Sequence, residues 1–450
     1  MKKEESFERT VCKIALPITL QSLLQSSFSV VDQVMIGQLG SGSIAGIGIG
    51  GKFASLYSVV LAAIASAAGI MIAQYMGKKE EESAARSFYV NMALSIGLAA
   101  VFMVVCMAFP EAVMALYTKE KTAEILAVKY IRILAISFLP AAVNSIVTTV
   151  FRCMEAAVLP LYVSIFALAL NTGLNYLFIF GKWIFPPMGV EGAALASGAA
   201  QIISCMIILF FFSIYQKKWG LKLKISWHDK KFHNAEYQKQ YLKILCPLLA
   251  CEFLWSLGEN VYTAIYGHIG TDACAAMTMT IPVQTVVIGA LCGLSQASGI
   301  LAGKRLGAKQ YGRAYAEAKK LMSYGLAVSI ILSLLLLAVS PFYVKLYHVE
   351  PKVQEITESL LRVIAVIAPV KVLNMILGGG IIRSGGKTKY TMWIDLIGTW
   401  IFGAPLGFLA AFVWKLPMAY VYLVLSLEEC IRLGISWIVF KKKVWMGSLR

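Results

Sequence analysis

One polar stripe crosses an otherwise apolar stretch near the start of the sequence. With Ser22 at 0° on a helical wheel, five later polar residues fall within an arc of about 120°: Gln25, Ser26, Ser29, Asp32 and Gln33. A carboxylate among apolar side chains is costly unless it is solvated or paired. Asp32 must therefore face a cavity or other helices. It could bind H⁺ or Na⁺ reversibly, or act as a structural hydrogen-bond partner.

A second stripe of the same kind lies 230 residues later. Glu252, Ser256, Glu259 and Thr263 match Ser22, Ser26, Ser29 and Gln33, and Tyr262 matches Asp32. Glu252 or Glu259 could bind a cation or attract a cationic substrate. The alternative is a buried salt bridge, for example with Lys371 or Arg362.

Further polar candidates lie in other apolar stretches. Asn171 and Asn175 are spaced i,i+4, which places both amides on one face of a helix. Two amides there can hydrogen-bond a carboxylate or coordinate a cation, or they can join helices in the core. Asn144 is a further polar residue inside a predicted span. Asp395 is interpreted either as a cavity residue or as a structural partner.

Other kinds of site chemistry are not supported. The nine cysteines include no CxxC pair and fit packing roles. The segment from Gly46 to Phe53 resembles a phosphate-binding loop, but Phe53 stands where that motif needs Ser or Thr after Lys52. No HExxH or GxSxG motif is present. The sequence therefore predicts neither an enzyme nor a metal or cofactor site.

The composition shows which elements must position these residues. Of the 450 residues, 59% are hydrophobic and 14% are charged, against about 25% charged in soluble domains. This excludes a soluble enzyme, a disordered chain and a nucleic-acid-binding domain. Charge-free runs such as 87–110 and 192–216 are long enough to cross a bilayer as helices, which takes about 20 residues. The sequence therefore predicts an all-α polytopic membrane protein.

Twelve membrane spans are predicted, and the basic residues orient them. The spans cover roughly 14–38, 51–74, 87–109, 126–151, 157–181, 191–214, 243–267, 278–302, 321–344, 358–382, 390–413 and 417–440. With lysines near the span ends assigned to the adjoining loops, 29 Lys and Arg residues fall on one side and 8 on the other. Basic residues collect in cytoplasmic loops. We therefore expect a multi-pass protein of the cell inner (plasma) membrane with both termini in the cytoplasm.

The sequence contains an internal repeat. At an offset of 230, Pro17 matches Pro247, Gly77 matches Gly307 and, with a slip of one residue, Arg152 matches Arg383. Each copy holds six spans, so both copies enter the membrane from the same side and are related by an axis along its normal. We expect an N-terminal lobe over 1–212, a cytoplasmic linker over 213–243 and a C-terminal lobe over 244–450. Rocking of the lobes would expose a cavity between them to alternate sides.

Several segments resemble the bacterial multidrug and toxic compound extrusion (MATE) family of transporters. The resemblance is carried by the run Ala15–Gly40, by Ala73–Gly77 with the charged loop that follows, by Asn171–Tyr176, by Met188–Ala196 and by Cys246–Gly258. It extends over nearly the whole chain.

The resemblance implies an antiporter that exports organic, often cationic, compounds in exchange for H⁺ or Na⁺. It also implies a cation site at Asp32, Asn171 and Asn175, although some relatives have Asp at the last position. The predicted substrate cavity holds Gln25, Ser29, Gln33, Asn144, Glu252, Ser256, Glu259, Tyr262 and Asp395. We expect a monomer among membrane lipids, with small organic molecules as partners and no nucleic acid. The alternative is a flippase for lipid-linked sugars, which would need a basic cavity.

Overall fold

The computed structural model describes residues 6–118, 120–183, 185–218, 235–345 and 349–449. Within these ranges the regular structure is helical and contains no strand. A helix satisfies its own backbone hydrogen bonds, which is what a segment surrounded by lipid requires. The long apolar runs therefore form helices independently of the contacts that their side chains make.

The described ranges contain fifteen α-helices, some of them joined by short segments of other pitch. The helices are α1 Phe7–Gly37, α2 Ser41–Lys78, α3 Glu81–Ala108, α4 Pro110–Ala115, α5 Lys121–Leu134, α6 Phe138–Cys153, α7 Val158–Phe180, α8 Gly189–Lys218, α9 Ala235–Ile269, α10 Thr271–Gly307, α11 Tyr311–Lys345, α12 Pro351–Asn374, α13 Thr388–Leu396, α14 Ala404–Phe408 and α15 Met418–Lys441.

The predicted fold class is confirmed. Eleven helical stretches in the described part of the chain are long and apolar enough to cross a membrane. The twelfth predicted span, 417–440, forms α15, whose 24 residues would extend about 36 Å. It is not among the eleven because it carries three charged residues, Glu428, Glu429 and Arg432. The chain is thus an all-α polytopic membrane protein.

Two interruptions of the α-helical structure each precede a proline. A 3₁₀ turn over Ala135–Ser137 separates α5 from α6, and Pro140 follows it. Proline has no N–H to donate to the carbonyl four residues earlier, here that of Ile136. A π-helical segment over Ile397–Gly403 precedes Pro405 in the same way. Such wide turns often occur at functional sites.

The chain divides into two compact units. The first unit comprises residues 1–19, 73–79 and 234–450, and the second comprises 20–72 and 80–233. In the first unit, aliphatic and aromatic residues of α9, α12 and α15 form one core cluster, which includes Leu360 and Val421. In the second unit, Tyr57, Ile131 and Phe138 belong to a comparable cluster.

The predicted lobe boundaries at 212 and 244 remain a prediction. Of the predicted linker, residues 213–218 form the end of α8 and residues 235–243 form the start of α9. Residues 219–234 lie outside the described part of the chain.

The repeat is visible as a reciprocal backbone contact inside the first unit. A Cβ atom at Gly77 would overlap the carbonyl group of Lys304, and a Cβ atom at Gly307 would overlap the carbonyl group of Gln74. Gly77 matches Gly307 and Gln74 matches Lys304 at the offset of 230. Two copies related by a two-fold axis must make such paired contacts. The small side chains allow the helices to approach this closely.

Candidate ion-coupling site and buried charge network

In the second unit, α1 and α7 bring Asp32 and the two predicted asparagines together. The Asn175 amide donates to Asp32 Oδ1 at 2.9 Å. The same amide lies 3.2 Å from Asn171 Oδ1, one helical turn earlier. Asn175 is only 2% exposed. The i,i+4 spacing on α7 therefore presents both amides to one carboxylate, as the sequence predicts.

Asn171 also connects this cluster to α8. With its amide nitrogen towards Asp32, Asn171 donates to Asp32 Oδ2 at 3.1 Å and accepts from Ser197 Oγ at 3.3 Å. In the opposite orientation the amide donates to Ser197 Oγ, also at 3.3 Å. Ser197 completes the cluster, and sequence reasoning missed it because a single serine in an alanine-rich helix gives no signal.

Asp32 has no cationic partner in the described part of the chain. Among the described residues, no Lys, Arg or His nitrogen lies within 4.0 Å of its carboxylate. Asp32 is half-buried, and no described residue hydrogen-bonds the buried Oδ1 of Asn175. A carboxylate held only by neutral amides, beside a free amide oxygen, can accept a proton or contribute to an oxygen-lined site for a small cation.

Gln25, Gln33 and Asn144 do not join this cluster. Gln25 and Gln33 are exposed on α1, and the Ser29 side chain lies outside the described part of the structure. Asn144 donates to Ser204 Oγ at 3.3 Å, while its Oδ1 is buried without a partner.

In the first unit, two of the three predicted carboxylates, Glu252 and Asp395, belong to ion pairs. Arg383 Nη1 lies 3.1 Å from Glu252 Oε1, so the partner of Glu252 is Arg383 rather than Lys371 or Arg362. Arg383 Nη2 lies 3.9 Å from Asp395 Oδ2, and Arg432 Nε lies 3.8 Å from Asp395 Oδ1. Glu252 and Asp395 are therefore structural partners of arginines in this structure.

This charge network continues onto α15. The Tyr262 hydroxyl donates to Glu428 Oε2, and both residues are buried. Arg432 donates to Thr399 Oγ1. A Cβ atom at Gly403 would overlap Glu428 and Tyr262, so this glycine of the π-helical segment makes room for their hydrogen bond.

The glutamate that follows Glu428 on α15 is also held. Asn374 donates to Glu429 Oε2 at 2.8 Å, and Arg432 Nη1 lies 3.9 Å from Glu429 Oε1. Sequence reasoning missed Arg432 and both α15 glutamates as members of one network because they are distant in sequence from Asp395.

Two predicted cavity residues of α9 lie outside the network. Ser256 is half-buried and Glu259 is exposed. No basic side chain of the described ranges lies within 4.0 Å of Glu259. Glu259 therefore differs from Glu252 in having a carboxylate that is not held by an arginine.

The two copies of the repeat use equivalent arginines. Arg152 donates to Gln21 Oε1 at 2.8 Å, and Arg383 donates to Cys251 Sγ at 3.0 Å. Gln21 and Cys251 match at the offset of 230, and the arginines match with the slip of one residue. In the second copy Arg383 also pairs with Glu252, which stands where the first copy has Ser22.

A repeated helical membrane fold that carries an unpaired carboxylate inside one compact unit is typical of secondary transporters. The sequence matches the MatE family over residues 17–177 and again over 247–409. These two matches include most of the chain and fall one in each copy of the repeat. The chain therefore belongs to the MatE family, whose members are membrane transporters.

Individual relatives align with this chain over most of its length. The chain is 22% identical to the uncharacterized transporter YisQ of Bacillus subtilis, over 99% of this chain and 97% of that protein. It is 25% identical to the probable multidrug resistance protein NorM of Bacillus licheniformis, over 89% of this chain and 88% of that protein.

Solved structures share the fold. The Vibrio cholerae MATE transporter VcmN in its bent form superposes with a TM-score of 0.86 at 18% identity, over 96% of each chain. An outward-facing multidrug resistance MATE family transporter of the MOP superfamily superposes with a TM-score of 0.86 at 15% identity, over 97% of this chain and 96% of that chain.

Proposed function

We propose that the protein is a secondary active antiporter that exports small organic, often cationic, compounds in exchange for H⁺ or Na⁺. The observation that carries the proposal is the state of Asp32. Its carboxylate is held by the amide of Asn175 at 2.9 Å and has no basic partner in the described ranges. Such a group can gain and lose a cation without breaking an ion pair.

Coupling follows from what a bound cation does to these hydrogen bonds. The amide nitrogen of Asn175 donates to the charged carboxylate. A proton on Asp32 removes the negative charge that this N–H group faces. A bound Na⁺ instead attracts the amide oxygens, which reverses the preferred orientation of the amide. The contact between α1 and α7 then differs between the loaded and empty states. Exchange needs such a difference, because a ligand that binds two states equally shifts neither.

The C-terminal half contributes differently to substrate binding. Glu252 and Asp395 are neutralised by Arg383 and Arg432, so Glu259 is the carboxylate of α9 best placed to attract an organic cation. Gln25, Ser29, Gln33, Asn144, Ser256 and Tyr262 remain proposed members of the substrate cavity. The names of the relatives support export of drug-like compounds.

The proposed setting is the plasma membrane, with both termini in the cytoplasm and a monomer surrounded by lipid. The split of 29 to 8 basic residues supports this orientation. The flippase alternative has less support, because the stripes on α1 and α9 are polar and acidic rather than basic.

The direct test of this function is transport by purified protein in lipid vesicles. Efflux of a cationic fluorescent dye is measured with a pH gradient alone, with a sodium gradient alone and with neither. We expect one of the two gradients to drive efflux. Absence of dye movement under both gradients, together with translocation of a phospholipid-linked glycan, would favour the flippase.

A further inference from the structure

The residues after α15 fold back against the first unit. Trp445 is completely buried, and its ring stacks on Phe440 with ring centroids 5.7 Å apart. Phe440 in turn stacks on Tyr315 of α11 at 4.8 Å. A Cβ atom at Gly385 would overlap the carbonyl group of Trp445, so the two backbones are in direct contact. The tail 444–449 is thus a packed element.

A single glutamine of the N-terminal copy reaches this tail. Gln74 of α2 is 0% exposed. Its Nε2 donates to the carbonyl oxygen of Ser384 at 2.5 Å, and its Oε1 accepts from the backbone N–H of Leu449 at 2.8 Å. Both ends of one buried amide are therefore satisfied, one by the turn that precedes α13 and the other by the tail.

This glutamine lies beside the axis of the repeat. Ala73 and Gly303 match at the offset of 230, and a Cβ atom at Gly303 would lie 3.2 Å from the Cβ of Ala73. Equivalent residues touch each other only on the axis that relates their copies. Gln74 is the next residue. A bond made there ties the first copy to the second at the point where they meet.

We propose that Gln74 and the tail 444–449 form a latch that holds the paired ends of α2 and α10 together and so favours the state closed on this side of the membrane. The distribution of basic residues supports a cytoplasmic location for this side. The inference rests on the proposed alternating-access function, because only such a cycle requires these ends to separate. The second copy has no equivalent glutamine, because Lys304 occupies the position that matches Gln74.

The latch can be tested by measuring the distance between the two copies directly. Lys79 and Lys309 are exposed, equivalent turn residues just beyond α2 and α10. Spin labels are attached through Lys79→Cys and Lys309→Cys in a chain whose exposed cysteines are replaced by serine. Pulsed electron paramagnetic resonance then gives the populations of short and long distances in lipid discs. These populations are recorded with and without sodium, at two pH values and with a cationic dye.

Four variants are compared in this background, one of which combines the first two. Gln74→Leu removes the hydrogen bonds of the buried amide to Ser384, Gly447 and Leu449, and truncation after Lys443 removes the tail. Ser448→Ala is the matched control, because its hydroxyl contacts only the carbonyl of the adjacent Leu449, at 3.4 Å.

We expect Gln74→Leu and the truncation each to raise the ratio of long to short distances about tenfold, while Ser448→Ala leaves it unchanged. The combined variant should open less than the product of the two separate effects, because both remove the bond to Leu449. If both variants match Ser448→Ala while the parent chain still responds to ions or dye, the latch does not exist. If the parent chain itself shows one unresponsive distance, the alternating-access function fails instead.

Discussion

Arg383→Leu is the substitution with the largest expected effect on stability. It deletes the ion pair with Glu252 at 3.1 Å and the contact with Asp395 at 3.9 Å. The side chains of Arg383 and Glu252 are only 16% and 23% exposed. The variant therefore leaves a largely buried carboxylate without its cation.

The size of the effect follows from these distances. At an effective dielectric constant of about 20, charges 3.1 Å apart attract by roughly 5 kcal/mol. The desolvation of both groups offsets much of this attraction in the intact pair. Removing one partner leaves the other desolvated and unpaired, at a cost of about 3–5 kcal/mol. Asp395 is affected less, because Arg432 remains beside it.

The assay is thermal unfolding of the purified protein in detergent for Arg383→Leu, Glu252→Leu and the combined variant. We expect the combined variant to unfold at a higher temperature than Arg383→Leu alone, since it restores neutrality. Arg362→Leu is the matched control: it removes an arginine whose ion pair with Glu358 is largely exposed on the arginine side, at 65%. Unfolding temperatures that fall additively in the combined variant would refute the coupling of Glu252 to Arg383.

Two further perturbations probe the site and the repeat. Asn175→Ala removes the 2.9 Å hydrogen bond to Asp32, and we expect ion-driven dye efflux to fall at least about tenfold while the thermal stability changes little; unchanged efflux would remove Asn175 from the coupling site. Gly307→Ala places a methyl group against the carbonyl of Gln74 and should cost about 1–3 kcal/mol through overpacking, measured as a lower unfolding temperature. Gly312→Ala, where nothing lies within 4 Å, is its control, and equal stability of the two variants would contradict the close backbone contact.

The sequence is sufficient to predict the helices and the repeat. Long apolar runs have one favourable conformation in lipid, and matched glycines such as Gly77 and Gly307 record the close contact between copies. The helix ends are predicted less accurately. Helix α2 begins at Ser41, ten residues before the predicted span, because hydropathy marks only the part of a helix inside the hydrocarbon.

The candidate site was predictable where its residues share one helix face. Asn171 and Asn175 follow from the i,i+4 spacing, and the stripe on α1 indicates Asp32. The arginine partners were not predictable. Arg383 lies just outside a predicted span and counts as a loop charge by sequence, yet it folds against Glu252, which is 131 residues away. No periodicity relates residues on different helices, so their pairing depends on tertiary packing.

The account depends most on Asp32, and Asp32→Asn tests it most directly. Dye efflux from vesicles is driven by the gradient that supports the parent chain, and Asp272→Asn serves as control because it alters a carboxylate paired with the exposed Lys352. We predict that Asp32→Asn inserts and unfolds like the parent chain but loses gradient-driven efflux, while Asp272→Asn keeps it. Full gradient-driven efflux by Asp32→Asn would contradict the central claim.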